Sequence, residues 1–237
     1  MRTSYRKIHI NSSKFKLIGT ILLGFLSGCT SNSTPYQQAT LIPPSHKPQP
    51  VYGSSKQTLP IRIMGQSTCT VHQMQQLLLT RNPNVPKSYL AYPRLFLEEG
   101  AKEGVRGDLA FAQALHETDY FKFGGDVSPH QNNFCGLGAT GNGVPGHQFT
   151  TPREGIRAQI QHLKAYASHK PLVNKCIDPR FQRVRRGCAP NLEDLGGLWA
   201  YPGYDTKKYH SLAQAKANKD TYGHKIKRIL MAIQSIK

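Results

Sequence analysis

Acidic side chains are scarce in this sequence: 13 against 31 basic ones, a formal charge of +18 over 237 residues. No apolar run approaches the roughly 18–20 residues that a membrane-spanning helix needs. No Gly-x-Ser-x-Gly elbow is present, which removes the usual signature of a serine hydrolase. No Gly-Lys-Ser/Thr phosphate loop is present either. No two cysteines have C-x-x-C spacing, so a structural zinc site is poorly supported. His116-Glu117 begins like a zinc-protease motif, but the second histidine would fall at position 120, which is Tyr120. What the chain does have is 38% hydrophobic and 9% aromatic residues, enough for a packed core.

The amino-terminal segment has its own character. Residues 1–28 carry Arg2, Arg6, Lys7, Lys14 and Lys16 and no acid, and a ten-residue apolar stretch runs from Leu17 to Leu26. Ser27, Gly28 and Cys29 follow. A basic segment, a short apolar segment and small residues make a secretory signal. Leu26-Ser27-Gly28-Cys29 resembles the lipobox of bacterial lipoproteins, which implies cleavage before Cys29 and lipid on its thiol. Residues 29–60 then read as a lipid-anchored tether, with six prolines and mostly Ser, Thr, Asn, Gln, Pro or Gly. Such a stretch cannot bury enough apolar surface to offset its ordering entropy. The expected location is the cell envelope, facing the wall, and the outer membrane where the cell has two. Thr30 is not the Asp that would favour retention at the inner membrane. Export also frames the remaining cysteines, Cys69, Cys135, Cys176 and Cys188, as disulfide candidates. Cys176–Cys188 closes a short loop, which leaves Cys69–Cys135.

Residues 61–237 read as one mainly helical domain, α+β at most, long enough for a real core. Thr70-Val-His-Gln73 has capping-box spacing and predicts a helix to about Leu79. Pro93 suits the start of a second helix that ends near Gly104. Asp108 is placed to cap a third, Leu109 to about Thr118. Seven glycines between Tyr120 and Thr150 predict a loop region with room for a hairpin. Thr151-Pro152-Arg153-Glu154 opens a helix with Ile156, Ile160, Leu163 and Ala167 at helical spacing. A short helix over Leu192–Leu198 and a last one capped by Asp220 or Thr221 complete the plan.

The third helix is almost wholly apolar, and Glu117 arrives at its end. Apolar surroundings and the negative end of the helix dipole both raise a carboxyl pKa. A carboxylic acid kept protonated near neutral pH is what glycosidic bond cleavage needs as general acid. A second acid is less clear. Glu154 lies 37 residues on, yet it also fits the reciprocal position of a capping box. Asp119 and Asp126 lie in the loop without a motif.

Glu103-Gly-Val-Arg-Gly-Asp-Leu-Ala-Phe-Ala-Gln-Ala-Leu-His-Glu-Thr118 resembles the segment around the catalytic glutamate of bacterial glucosaminidases, glycoside hydrolase family 73. Gln131-Asn-Asn-Phe-Cys-Gly-Leu-Gly138 is similar to that family's asparagine-glycine loop, and Gly155 to Ala167 to its following helix. Asp178-Pro-Arg-Phe181, Trp199-Ala200 and Asp220-Thr-Tyr-Gly223 resemble its later landmarks. The resemblance implies a lysozyme-like helical fold with a glycine-rich loop beside the cleft. It implies endo-β-N-acetylglucosaminidase activity on peptidoglycan, with Glu117 as acid and no metal or cofactor. Glu154 matches the spacing of a second acid in some members, and Tyr222 matches a tyrosine that could orient the substrate's 2-acetamido group.

For substrate contact, Asn132, Asn133 and Phe134 stand in the matched loop, and Trp199, Tyr201 and Tyr204 offer aromatic faces to sugar rings. The asparagines equally suit a turn, and the single tryptophan equally suits the core. The basic excess, with Arg183, Arg185 and Arg186 beside Cys188, suits wall glycans that carry peptide carboxylates. An exported chain seldom meets nucleic acid, the rival polyanion. Two other readings keep the same plan: a muramidase or lytic transglycosylase, and a non-catalytic peptidoglycan-binding lipoprotein.

Overall fold

The computed structural model describes residues 59–125, 127–139 and 144–237. The signal segment, Cys29, the tether as far as Thr58, and Asp126 lie outside the described residues. Among the described residues six α-helices carry the fold, and β-structure is confined to isolated bridges such as Met64 to Val105 and Tyr204 to Thr221.

Helix α1, Val71–Arg81, starts where the capping box places it. Gln73 N donates to Thr70 Oγ1 at 3.2 Å and Thr70 N donates to Gln73 Oε1 at 2.9 Å. Helix α2, Tyr92–Glu103, has Pro93 in its first turn and stops at Gly104, whose φ of 71° suits a residue without Cβ. Helix α3, Gly107–Glu117, begins before the expected cap, and Arg106 holds the N-cap position. Asp108 is fully buried inside the first turn, where its Oδ1 accepts from Leu109 N at 2.9 Å. Its carboxylate accepts from Thr68 N at 2.8 Å, from Cys69 N at 3.3 Å and from Arg106 Nη2 at 2.7 Å. That ties the segment before α1 to α3.

Every residue of α3 from Gly107 to Leu115 is buried, with α1, α2, α4 and α6 packed around it. Close approach to α2 requires Gly107, because a Cβ there would lie 2.2 Å from the Phe96 carbonyl oxygen. Helix α4, Pro152–Ala167, lays Ile156, Ile160 and Leu163 into the core. The helix expected over Leu192–Leu198 is a short 3₁₀ turn, Leu192–Leu195, ended by glycines at 196 and 197. Between it and the last helix, the segment after Gly203 contributes α5, Leu212–Ala217. Helix α6, Tyr222–Gln234, follows Thr221 and buries Ile226, Leu230 and Ile233.

Two expectations are corrected. No hairpin forms among the described residues of the glycine-rich loop, which is held instead by side chains. Asn133 Nδ2 donates to the carbonyls of Leu137 and His147, both at 2.9 Å, and Gln131 Nε2 donates to that of Pro145. Nor do the two disulfides form: Cys69, Cys135, Cys176 and Cys188 are all free thiols. Cys69 sits against the Asp108 carboxylate, and burial followed by that charge pushes its thiol up to about 12. Cys135 points at Asn133 Oδ1, 3.9 Å away, and Cys176 at the carbonyl of Asp178, 3.6 Å away. Each of these three thiols has a local partner.

A buried ion pair joins α2 to α4. Lys164 Nζ lies 2.8 Å from Glu103 Oε2, and both side chains are shielded from solvent. Glu103 also accepts from the backbone N–H of Val173 and Asn174, both at 2.9 Å. Burial alone would raise the Glu103 carboxyl, but these donors hold it below its ordinary value. Lys164→Met should therefore leave a buried carboxylate short of its cation. It should lower unfolding free energy by about 3 kcal/mol, since breaking one side of a buried pair strands the other. Urea denaturation of the two chains measures the difference, and a loss below about 1 kcal/mol would contradict it.

Candidate active site

Glu117 is the last residue of α3 and opens a pocket of about 170 Å³. Thr118, Phe123, Gly125, Val127, Asn133, Gly136 and Ala139 complete its wall. The arrangement follows from the helix. About three helical turns of mostly apolar residues run through the core, and the acid emerges where the chain breaks into loop. Solvent reaches Glu117 from the pocket side, while protein crowds its carboxyl elsewhere. Burial pushes the carboxyl up to about 7, against the lowering effect of a hydrogen bond from Tyr222. The accessible side tempers that burial effect, and a substrate covering the pocket would strengthen it.

Tyr222, first residue of α6, donates its hydroxyl proton to Glu117 Oε1. The ring is buried, and burial together with the adjacent Glu117 raises the phenol well above its ordinary value, so the hydroxyl stays protonated. Tyr222 Oη in turn accepts from Gln113 Nε2 at 2.9 Å. Behind it, Gln159 Nε2 donates to Gln113 Oε1 at 2.8 Å and to the Ala110 carbonyl at 2.9 Å. His116 lies beside Tyr222, with ring centroids 5.6 Å apart. Burial, then Lys225 and Arg228, hold the His116 imidazole down to about 4, so it is neutral.

The matched loop is built for shape. Asn132 adopts φ 51°, and its Nδ2 donates to the Phe149 carbonyl at 2.9 Å. Gly155 at the start of α4 closes on it: a Cβ there would lie 1.6 Å from Asn132 O. Asn133 faces the pocket but uses both ends of its amide inside the loop, with Oδ1 accepting from Leu137 N at 2.9 Å. Phe134 has no exposed surface and packs between Tyr92 and Phe121, so it serves the core. Glu154 Oε2 accepts from Thr150 N at 3.0 Å, one residue further back than a capping box requires, while Thr151 Oγ1 caps Glu154 N. Glu154 is not part of the Glu117 pocket wall.

The aromatic candidates cluster on a turn against α6. Tyr222 N donates to Gly203 O at 2.8 Å, which fastens residues 196–204 to the start of that helix. On this turn Tyr201 is 89% exposed, whereas Tyr204 is half-buried beside Thr221. Trp199 is half-buried and packs edge-on against His162, whose Nδ1 lies 2.7 Å from Asp178 Oδ2. Of the arginine cluster, Arg186 is committed to the fold. It stacks on Phe181 and donates to the carbonyls of Ser168 and Lys170.

Sequence reasoning missed Gln113 and Gln159. A signal was present: Gln113 stands four residues before Glu117, on the same helical face, in a run otherwise apolar. Gln159 gives a weaker signal, because it is one of several polar residues, with Gln161, His162 and Lys164, in the buried stretch of α4.

A curated relative, an uncharacterized protein of Borreliella burgdorferi, is 47% identical over 120 residues, half of this chain and 59% of the relative. No solved structure matches the chain significantly. The model of the glucosaminidase family, described as mannosyl-glycoprotein endo-β-N-acetylglucosaminidase, matches residues 94–235, a span that contains Glu117, the loop, Trp199 and Tyr222. The chain belongs to the glucosaminidase family.

Proposed function

We propose that the protein is a peptidoglycan hydrolase that cleaves N-acetylglucosaminyl β-1,4 bonds, an endo-β-N-acetylglucosaminidase, with Glu117 as general acid. One observation supports this most: a carboxyl held near neutral pKa at the end of a buried helix, facing a pocket. In the proposed step the protonated Glu117 gives its proton to the leaving glycosidic oxygen while oxocarbenium character develops on the sugar. Exposed Tyr201, on the turn fastened to Tyr222, is placed to stack on a sugar face. The basic surface attracts stem-peptide carboxylates. Substrate contact by Asn133 would be through backbone atoms or loop shape, since both ends of its side-chain amide are engaged, whereas Asn132 commits its Nδ2 to the Phe149 carbonyl.

We further read residues 1–28 as a lipoprotein signal and Cys29 as the lipidated residue, anchoring the domain to a membrane of the envelope so that it faces the wall. The lipobox-like Leu26-Ser27-Gly28-Cys29 supports this.

Three outcomes test the proposal. Glu117→Gln keeps the shape but cannot deliver a proton, so digestion of purified murein should fall by at least about a hundredfold with folding preserved. Glu154→Gln should leave digestion largely intact. Mass spectrometry of the reducing ends should find N-acetylglucosamine; N-acetylmuramic acid or its anhydro form would point to a muramidase or lytic transglycosylase. Near-normal digestion by folded Glu117→Gln would remove the mechanism.

The pH profile carries a definite sign. The active form of a general acid is protonated, and its fraction falls as pH rises through the pKa. The kcat/KM for murein should therefore decline on the alkaline side with a midpoint near 7. A plateau extending past pH 9 would contradict Glu117 as the acid.

Cys29→Ala should release the protein from membrane fractions, because the acyl chains attach through that thiol. Full retention of the variant in the membrane pellet would overturn the anchor.

A further inference from the structure

The hydrogen bonds behind Glu117 have a direction, and it is set by a group that cannot flip. The Ala110 carbonyl oxygen only accepts. Gln159 must therefore turn its NH₂ toward Ala110 O, and the same NH₂ reaches Gln113. A donor from Gln159 forces Gln113 to present its oxygen there and its own NH₂ to Tyr222. Tyr222 Oη is thereby occupied as acceptor, and its one proton has Glu117 Oε1 as partner. A reversed chain would bring two NH₂ groups together, or leave the Tyr222 proton buried without an acceptor, and a buried unmet donor is costly. Gln159 and Gln113 have no exposed surface, so water does not relieve the constraint. The cost is visible at the far end. Gln159 Oε1 is the one buried side-chain nitrogen or oxygen atom among the described residues that finds no partner.

We propose that Gln159 and Gln113 are positioning residues that lock Tyr222 as a permanent donor to Glu117 Oε1. Two consequences follow, and they rest on the reading of Glu117 as general acid. The catalytic proton is carried on Oε2, which has no hydrogen-bond partner among the described residues. Tyr222 has no proton left for the substrate, so it tunes the acid and does not orient the 2-acetamido group through its hydroxyl. Burial raises Glu117, Tyr222 lowers it, and the two amides keep the second effect in force.

The test follows the Glu117 carboxyl carbon by ¹³C NMR through a pH titration of the full chain, with Glu117→Gln as the assignment control. Tyr222→Phe should move the Glu117 midpoint up by about one pH unit, the scale of a hydrogen bond to a charged group. Gln159→Met and Gln113→Met should move it the same way by roughly a third as much, because each amide polarises the next. The alkaline limb of murein hydrolysis should shift in step, with KM unchanged. If Gln159→Met does not fold, Gln113→Met decides. Folded amide variants whose Glu117 midpoint stays at the parental value overturn the proposal. So does a Tyr222→Phe chain that keeps the parental midpoint but loses its preference for N-acetylated over de-N-acetylated glycan, since that assigns the hydroxyl to the substrate. The titration needs no substrate. Midpoints that move as expected in a chain that releases no glycan ends uphold the locked donor and sink the glucosaminidase reading. Hydrolysis that depends on Glu117 while the midpoints stay fixed does the reverse.

Discussion

A helix with no solvent-facing side until its last turn governs this domain. Burying α3 from Gly107 to Leu115 takes four partner helices, and their placement follows from that demand. The apolar effect supplies the driving force, at roughly 25 cal/mol for each Å² removed from water. It also dictates chemistry. The first residue of α3 that meets solvent after this stretch lies at the helix end, where Glu117 meets a low-polarity wall on one side and a pocket on the other. A carboxyl in that place is raised without any dedicated charge partner.

Polar atoms inside such a core need partners, and the domain meets the need in two ways. Near α2, carboxylates carry the burden. Glu99 draws Lys102, Arg153 and Arg157, and although burial would raise its carboxyl, these donors hold it down to about 2. Glu103 draws Lys164 and the 173–174 backbone. Near Glu117 the partners are neutral amides and a phenol. A neighbouring cation there would favour ionisation and deprive the acid of its proton at neutral pH. Uncharged partners orient the carboxyl while leaving its pKa high, and the distribution of charge between the two ends of the core is consistent with that separation.

Much of this was legible in the sequence, for reasons specific to each element. Thr70 and Gln73 announce α1 because the capping box is a local hydrogen-bond exchange, and Gly104 ends α2 because few other residues take its φ. Glu117 was legible as the polar end of an apolar run. Asp108 was misread as a cap because cap preference is local, whereas its real partners, Thr68, Cys69 and Arg106, include two that lie about forty positions away. The cysteines were misread because compartment and parity say nothing about which thiols meet. Phe134 looked like part of a binding loop and is core, since one-dimensional position inside a motif does not report which way a side chain turns. The Gln113 and Gln159 pair could not be read as a pair, because 46 residues separate them and only the packing of α3 on α4 joins them.

The loop that walls the pocket shows the same dependence on α3 at second hand. It lacks regular structure, so its shape must come from side chains and from α4. Asn132 in the left-handed region, its carbonyl pressed on Gly155, and Asn133 with every amide group spent on neighbouring backbone together fix one loop conformation beside Glu117. Helix α4 is itself fixed against α3 through Gln159 and the Ala110 carbonyl. The contact that orders the pocket wall from outside and the contact that orients the acid from behind thus meet in one helix. A change in how α4 sits on α3 would alter both the pocket beside Glu117 and the hydrogen bonds that reach its carboxyl from behind.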